Sequence, residues 1–239
     1  MGFIKGELRG SPFYLIKLGS KNKIVYLILQ LLFVFHSFSS LEIFILDFQM
    51  MMTYFILGLS HVLDYSAYDH MLFICIMLLG LSLKDWKKML GLVSAFTVGH
   101  SLTLAFVVLY QPILDTAIVE FLIPITIMLT AVLKFYSSNK SIQNSGFIYA
   151  TILFFGFIHG MGFANYLSVL LPSGENVSQM LFAFNIGIEV AQLIVGIIFL
   201  GLIATITFMS KHTTQIAQKA IAVVGVVISL LLAIENFPF

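Results

Sequence analysis

The sequence predicts an all-α, polytopic transmembrane helix bundle of about seven spans, preceded by an apolar N-terminal segment that fits the bundle poorly. Three observations carry this expectation. Of 239 residues, 60% are hydrophobic and only 10% charged, whereas soluble domains carry about 25% charged residues. Mean hydropathy is +1.05. Apolar runs suited to a hydrocarbon core of about 30 Å recur along the chain, and lipid contact admits only helices or closed barrels. This balance excludes a soluble enzyme, a nucleic-acid binder and a disordered chain. A net charge of +1 offers no electrostatic attraction for nucleic acid. The single cysteine, Cys75, rules out an internal disulfide.

The apolar runs fall at residues 24–46, 50–63, 68–83, 88–110, 116–136, 146–171, 178–208 and 216–236. Short connections separate them, two with turn chemistry at Gln111-Pro112 and Pro172-Ser173-Gly174. Lysines mark alternate connections: Lys84, Lys87 and Lys88, then Lys134 and Lys140, then Lys211 and Lys219. The intervening connections carry only acids: Asp64, Asp69, Asp115, Glu120 and Glu175. By the positive-inside rule the lysine loops are cytoplasmic and the C-terminus lies outside. Trp86 beside the first lysine cluster reads as an interface anchor.

The run 24–46 breaks this pattern. Lys5, Arg9, Lys17, Lys21 and Lys23 hold the N-terminus inside, so a spanning first run would deliver the second from the wrong side. Either the first run is re-entrant or surface-lying, or translation starts at Met50, Met51 or Met52. The expected division is therefore residues 1–49 as an N-terminal extension and 50–239 as a seven-helix membrane domain.

Ionisable groups inside apolar runs are costly and mark function by default. His61, Asp64, Asp69 and His70 cluster around the outer connection after residue 63, with ligand types suited to Ni²⁺, Co²⁺ or Zn²⁺; the plainer alternative is a polar loop with Asp69 capping the next helix. Thr97, His100 and Ser101 share one helix face. His100 lies about 16 Å from the inner end at the helical rise, near the midplane. His159, between Gly156 and Gly160, falls about 18 Å from its inner end. Those glycines form a GxxxG pair that serves helix packing. Asn185, Glu189 and Gln192 make a polar stripe at i, i+4 and i+7. A carboxylate at the depth of Glu189 must be protonated, paired or metal-bound. If the polar faces converge, they form an outer vestibule at His61, Asp69 and His70 above a midplane site of His100, His159 and Glu189.

At these residues the chain resembles the HupE/UreJ family of hydrogenase/urease accessory membrane proteins, regarded as secondary permeases for nickel or cobalt. The resemblance covers about residues 54–207. It rests on Tyr68-Asp-His-Met-Leu-Phe73, Phe96-Thr-Val-Gly-His-Ser-Leu-Thr-Leu104, Phe155-Gly-Phe-Ile-His-Gly-Met-Gly-Phe-Ala164 and Phe184-Asn-Ile-Gly-Ile-Glu-Val-Ala-Gln192. The family's first motif is commonly His-x5-Asp-His, whereas seven residues separate His61 from Asp69 here. Its second motif is mirrored only at Phe157-Ile-His159-Gly160, with no second histidine or nearby acid following.

The resemblance implies a metal-cation permease; on the residues, Asp69 and His70 capture the ion and His100, His159 and Glu189 replace its water, with His61 and Asn185 as further candidate ligands. The ion is nickel, cobalt or zinc. Nothing resembles an ATP-binding loop, so uphill transport draws on a gradient or an energising partner; the other partners expected are the bilayer and a second copy of the chain. Two alternatives use the same residues. One is an intramembrane zinc hydrolase, with His70, His100 and His159 as ligands and Glu189 as general base. The other is a b-type haem protein with His100 and His159 as axial ligands.

Overall fold

A computed structural model describes residues 23–64, 68–110, 115–136, 146–170 and 177–238. The turns at Gln111-Pro112 and Pro172-Gly174 lie outside the described residues, as do Lys5, Arg9, Lys17, Lys21, Lys140 and Glu175. The described chain is helical: α1 (Lys23–Leu63), α2 (Tyr68–Met77), α3 (Trp86–Tyr110), α4 (Thr116–Tyr136), α5 (Gly146–Leu170), α6 (Val177–Met209) and α7 (Lys211–Glu235). It forms two compact units, Met1–Phe48 and Gln49–Phe239. The expected runs 24–46 and 50–63 both fall within α1.

Among the described residues, six helices are long and apolar enough to cross a membrane. Their outward faces carry large apolar side chains, among them Phe208 at 94% exposure and Leu109 at 72%. Water does not tolerate so much contiguous apolar surface; lipid does. The chain is an integral membrane protein of all-α, polytopic architecture.

The segment expected as a span at 68–83 takes a different form. Its helix α2 has ten residues, a rise of about 15 Å or half the hydrocarbon thickness. Beyond Asp69 and His70 it is apolar and buried accordingly, with Phe73, Ile74, Ile76 and Met77 at 1% exposure or less. It packs among α4, α6 and α7. Beyond Met77 the chain turns, with Gly80 at φ 85°, a left-handed conformation that glycine adopts without a Cβ clash. A helix ending inside the bundle leaves carbonyls without partners. Lys134 holds the turn that follows: expected at a cytoplasmic loop, it lies in α4, and its Nζ donates to the Leu79 carbonyl at 3.0 Å. The chain then passes through a 3-10 turn, Leu83–Asp85, into α3.

Glycine sets the closest helix contacts. A Cβ on Gly99 would strike the Leu153 carbonyl, and one on Gly156 would strike the Phe96 carbonyl. A Cβ on Gly160 would lie 2.8 Å from the His100 carbonyl. Helices α3 and α5 therefore touch backbone to backbone, as small residues permit in lipid. A cross-helix hydrogen bond from Thr103 Oγ1 to the Phe157 carbonyl, 3.0 Å, locks the register. The same device joins α1 to α6, where Cβ atoms on Gly58 and Gly187 would strike the Phe184 and Phe55 carbonyls.

Gly156→Ala must force α3 and α5 apart, and an overpacking cost of about 1–3 kcal/mol is expected. A methyl group on Gly201, in α6, would meet nothing within 4 Å, so Gly201→Ala is expected to be neutral or slightly stabilising. Thermal unfolding of both variants in detergent, read by loss of monodisperse protein, separates the two outcomes.

Candidate metal centre

The histidines arrive from four helices, each for a local reason. His61 lies in the last turn of α1 and His70 in the first turn of α2, and their ring centroids are 4.6 Å apart. His100 and His159 sit on α3 and α5 beside the glycine contacts that join those helices. One nitrogen each from His61, His70 and His100 lie within 4.8 Å of one another. Metal–imidazole bonds of about 2.0–2.1 Å place ligand atoms about 3–4 Å apart, so small side-chain rotations close the set on an ion. The His159 ring stands 5.6 Å from His70.

Buried nitrogen without a partner is the defining feature. His61 Nε2, His70 Nε2, both ring nitrogens of His100 and His159 Nε2 are buried with no hydrogen-bond partner among the described residues. Each such group costs about 1–3 kcal/mol if nothing binds it. Two of the rings are also oriented from behind. His70 Nδ1 lies 3.1 Å from Asp69 Oδ1, and His159 Nδ1 donates to the Phe155 carbonyl at 2.9 Å. A bond at Nδ1 fixes the tautomer and leaves the Nε2 lone pair for a metal. Asp69 thus stands behind His70, and it lies within α2 rather than preceding it as a cap.

Aromatic rings hold the cluster in place. His61 packs on Phe163 at 4.1 Å, and Phe163 stacks on Phe184 at 5.2 Å. On the other side, Phe73 and Phe96 each lie 5.1 Å from His159 and 5.0 Å from one another. A cavity of about 320 Å³ opens above the cluster, lined by His61, His70, His159, Asp69, Glu120 and Pro124, among others. Pro124 has no N–H to give to the Glu120 carbonyl, so the i to i−4 bond is missing from α4 beside this cavity, where the Glu120 side chain is exposed.

The structure therefore redistributes the expected site. The spacing along the chain suggested two levels, with His61 and His70 above His100 and His159. The short, buried α2 instead sets His70, only 6% exposed, at the level of His100, and one cluster results. Glu189 is not part of the group formed by His61, His70 and His100, whereas Asn185 Oδ1, like the histidine nitrogens, is buried with no hydrogen-bond partner among the described residues. Glu189 Oε1 accepts from Ser94 Oγ at 2.6 Å, and Asn185 Nδ2 donates to the Leu181 carbonyl at 2.8 Å. Sequence reasoning did not single out the rings of Phe73, Phe96 and Phe163 or the place of Pro124. The motif residues around the histidines carried that signal, but an aromatic position reads first as core.

Residues 39–237 match the family model described as HupE / UreJ protein. No curated protein and no solved structure matches the chain.

Removing the carboxylate behind His70 tests the orienting role. Asp69→Ala is expected to lower Ni²⁺ affinity about 10- to 100-fold, as loss of a partner behind a metal-binding imidazole does, without loss of fold. Calorimetric titration of Ni²⁺ into the purified protein measures it, and unchanged affinity would remove Asp69 from the site.

Proposed function

Because the chain belongs to the HupE/UreJ family, we propose that it is a secondary permease carrying a divalent transition-metal cation, nickel or cobalt, across the bacterial inner membrane. The observation that carries this reading is the group of buried, unpartnered imidazole nitrogens of His61, His70, His100 and His159 beneath an open cavity. Imidazole suits nickel, cobalt and zinc, and the affinity order places nickel above cobalt at such a site. The hydrated ion enters between Glu120 and Asp69 and exchanges water for imidazole at the cavity floor. Tight, permanent binding would arrest transport, so a cluster that needs small rotations to close suits a transient stop. The acid-lined cavity faces outward, and the end bearing Lys84, Lys87 and Lys88 faces the cytoplasm, in keeping with the positive-inside rule. An ion gradient or an energising partner drives accumulation.

The geometry lends less to the alternatives. A hydrolase would need a base beside its metal-bound water, yet Glu189 is engaged with Ser94. A haem held between His100 and His159 has no room, because α3 and α5 are in backbone contact there.

Uptake of radioactive Ni²⁺ or Co²⁺ by cells expressing the chain tests the proposal. His100→Ala and His70→Ala are each expected to reduce uptake about tenfold or more, since losing a metal-bound imidazole removes well over 1.4 kcal/mol of binding. Equal accumulation by expressing and non-expressing cells would refute it.

A further inference from the structure

Below the histidines, two ways lead toward the opposite end of the bundle, and they differ in charge. One is a second cavity of about 220 Å³, lined by Met77, Leu92, Ile152, Phe155 and Lys134 among others. Phe155 lines this cavity and His159 lines the first. The two residues are one turn apart on α5, about 6 Å of rise. The wall between them is apolar: Phe73 packs on Phe96 at 5.0 Å and lies 6.3 Å from Phe155. Beyond it stands the Lys134 amine. A cation gains no ligands at the wall and meets a basic group after it, an arrangement that excludes cations from a pore.

The other way is the contact between α3 and α6. On α3, Thr97 and Ser94 follow His100 at steps of three residues, about 4.5 and 9 Å farther from the first cavity. On α6, Gln192 and Glu189 face them. Thr97 Oγ1 donates to Gln192 Oε1 at 2.9 Å, and Ser94 Oγ donates to Glu189 Oε1 at 2.6 Å. Thr97 is 6% exposed and Gln192 1%. Glu189 takes no part in the ion pairs of His70 with Asp69 and of Lys88 with Asp85. A carboxylate deep in a span with only a hydroxyl partner is costly unless it binds a proton or a cation.

We propose that Glu189, Ser94, Thr97 and Gln192 form a second, oxygen-lined cation station, and that the ion leaves the histidines along the α3–α6 contact rather than through the Lys134 cavity. This rests on the permease reading. Hydroxyl, amide and carboxylate oxygens hold a nickel or cobalt ion less tightly than imidazole. A step from nitrogen to oxygen ligands therefore releases the ion by stages, and the negative charge of Glu189 compensates for the water it has lost.

The test uses the full chain, with Ni²⁺ alone as probe. Equilibrium dialysis in detergent reads binding at the histidines, and flux into liposomes carrying the purified protein reads the path. Glu189→Gln can still accept from Ser94 but has no charge; it is expected to retain Ni²⁺ binding while flux falls about tenfold or more. Glu189→Asp keeps the charge and is expected to carry more Ni²⁺ than Glu189→Gln. Wild-type flux in Glu189→Gln would overturn the station, as would greater flux in Glu189→Gln than in Glu189→Asp, the order a purely hydrogen-bonding role predicts. Loss of Ni²⁺ binding in both variants would also overturn it, by making Glu189 a support of the histidine cluster. Lys134→Met raising flux while Glu189→Gln leaves it unchanged would place the route in the other cavity. A wild-type protein that binds no Ni²⁺ would instead refute the permease reading itself.

Discussion

The backbone contact between α3 and α5 is the constraint on which the rest of the bundle depends. In lipid there is no hydrophobic force between helices, and association rests on packing and hydrogen bonds. Gly99, Gly156 and Gly160 let the two backbones meet, and Thr103 adds a bond across the gap. His100 follows Gly99, and His159 precedes Gly160. The packing motif and the chemical motif are thus the same stretch of chain. A side chain at any of these glycines would separate the helices and disperse the imidazoles together.

That contact also explains why the cluster is confined. His100 is wholly buried and His159 nearly so, in surroundings where an unpaired polar nitrogen is expensive. The cost is met locally for two of the rings, by Asp69 and the Phe155 carbonyl. Of the remaining nitrogens, one each from His61, His70 and His100 come within 4.8 Å of one another, an arrangement that stability alone would not favour. Sites that break the rules of polar satisfaction are commonly functional.

The short α2 supplies asymmetry. A full span would have carried His70 to the surface. A half-length helix instead sets His70 inside and ends near Lys134. Its N-terminal end faces a cavity with carboxylates at the mouth, and its C-terminal end faces one with a lysine. The cavities at its two ends thereby differ in the charge of their linings.

Much of this was legible in the chain. Run length and the scarcity of charge determine a helical membrane bundle, because the bilayer leaves no other way to satisfy the backbone. The helix ends at 110, 116, 136 and 146 follow the limits of the apolar runs. The histidines and Glu189 stand out because polar groups are so few. Convergence was not legible. Period and depth place a residue along its own helix but do not say which neighbour it faces. Sequence alone could not reveal that α2 stops after ten residues, since the apolar run continues to Leu83 and hydropathy does not register a turn at Gly80. Nor could it separate Glu189 from His100: both sit near mid-depth, and only the packing of α6 on α3 decides that Glu189 meets Ser94. The sequence determined which groups were available and how deep they lie. The tertiary structure decided which of them share a site, because that depends on helix rotation and crossing, which are set by contacts between residues far apart in the chain.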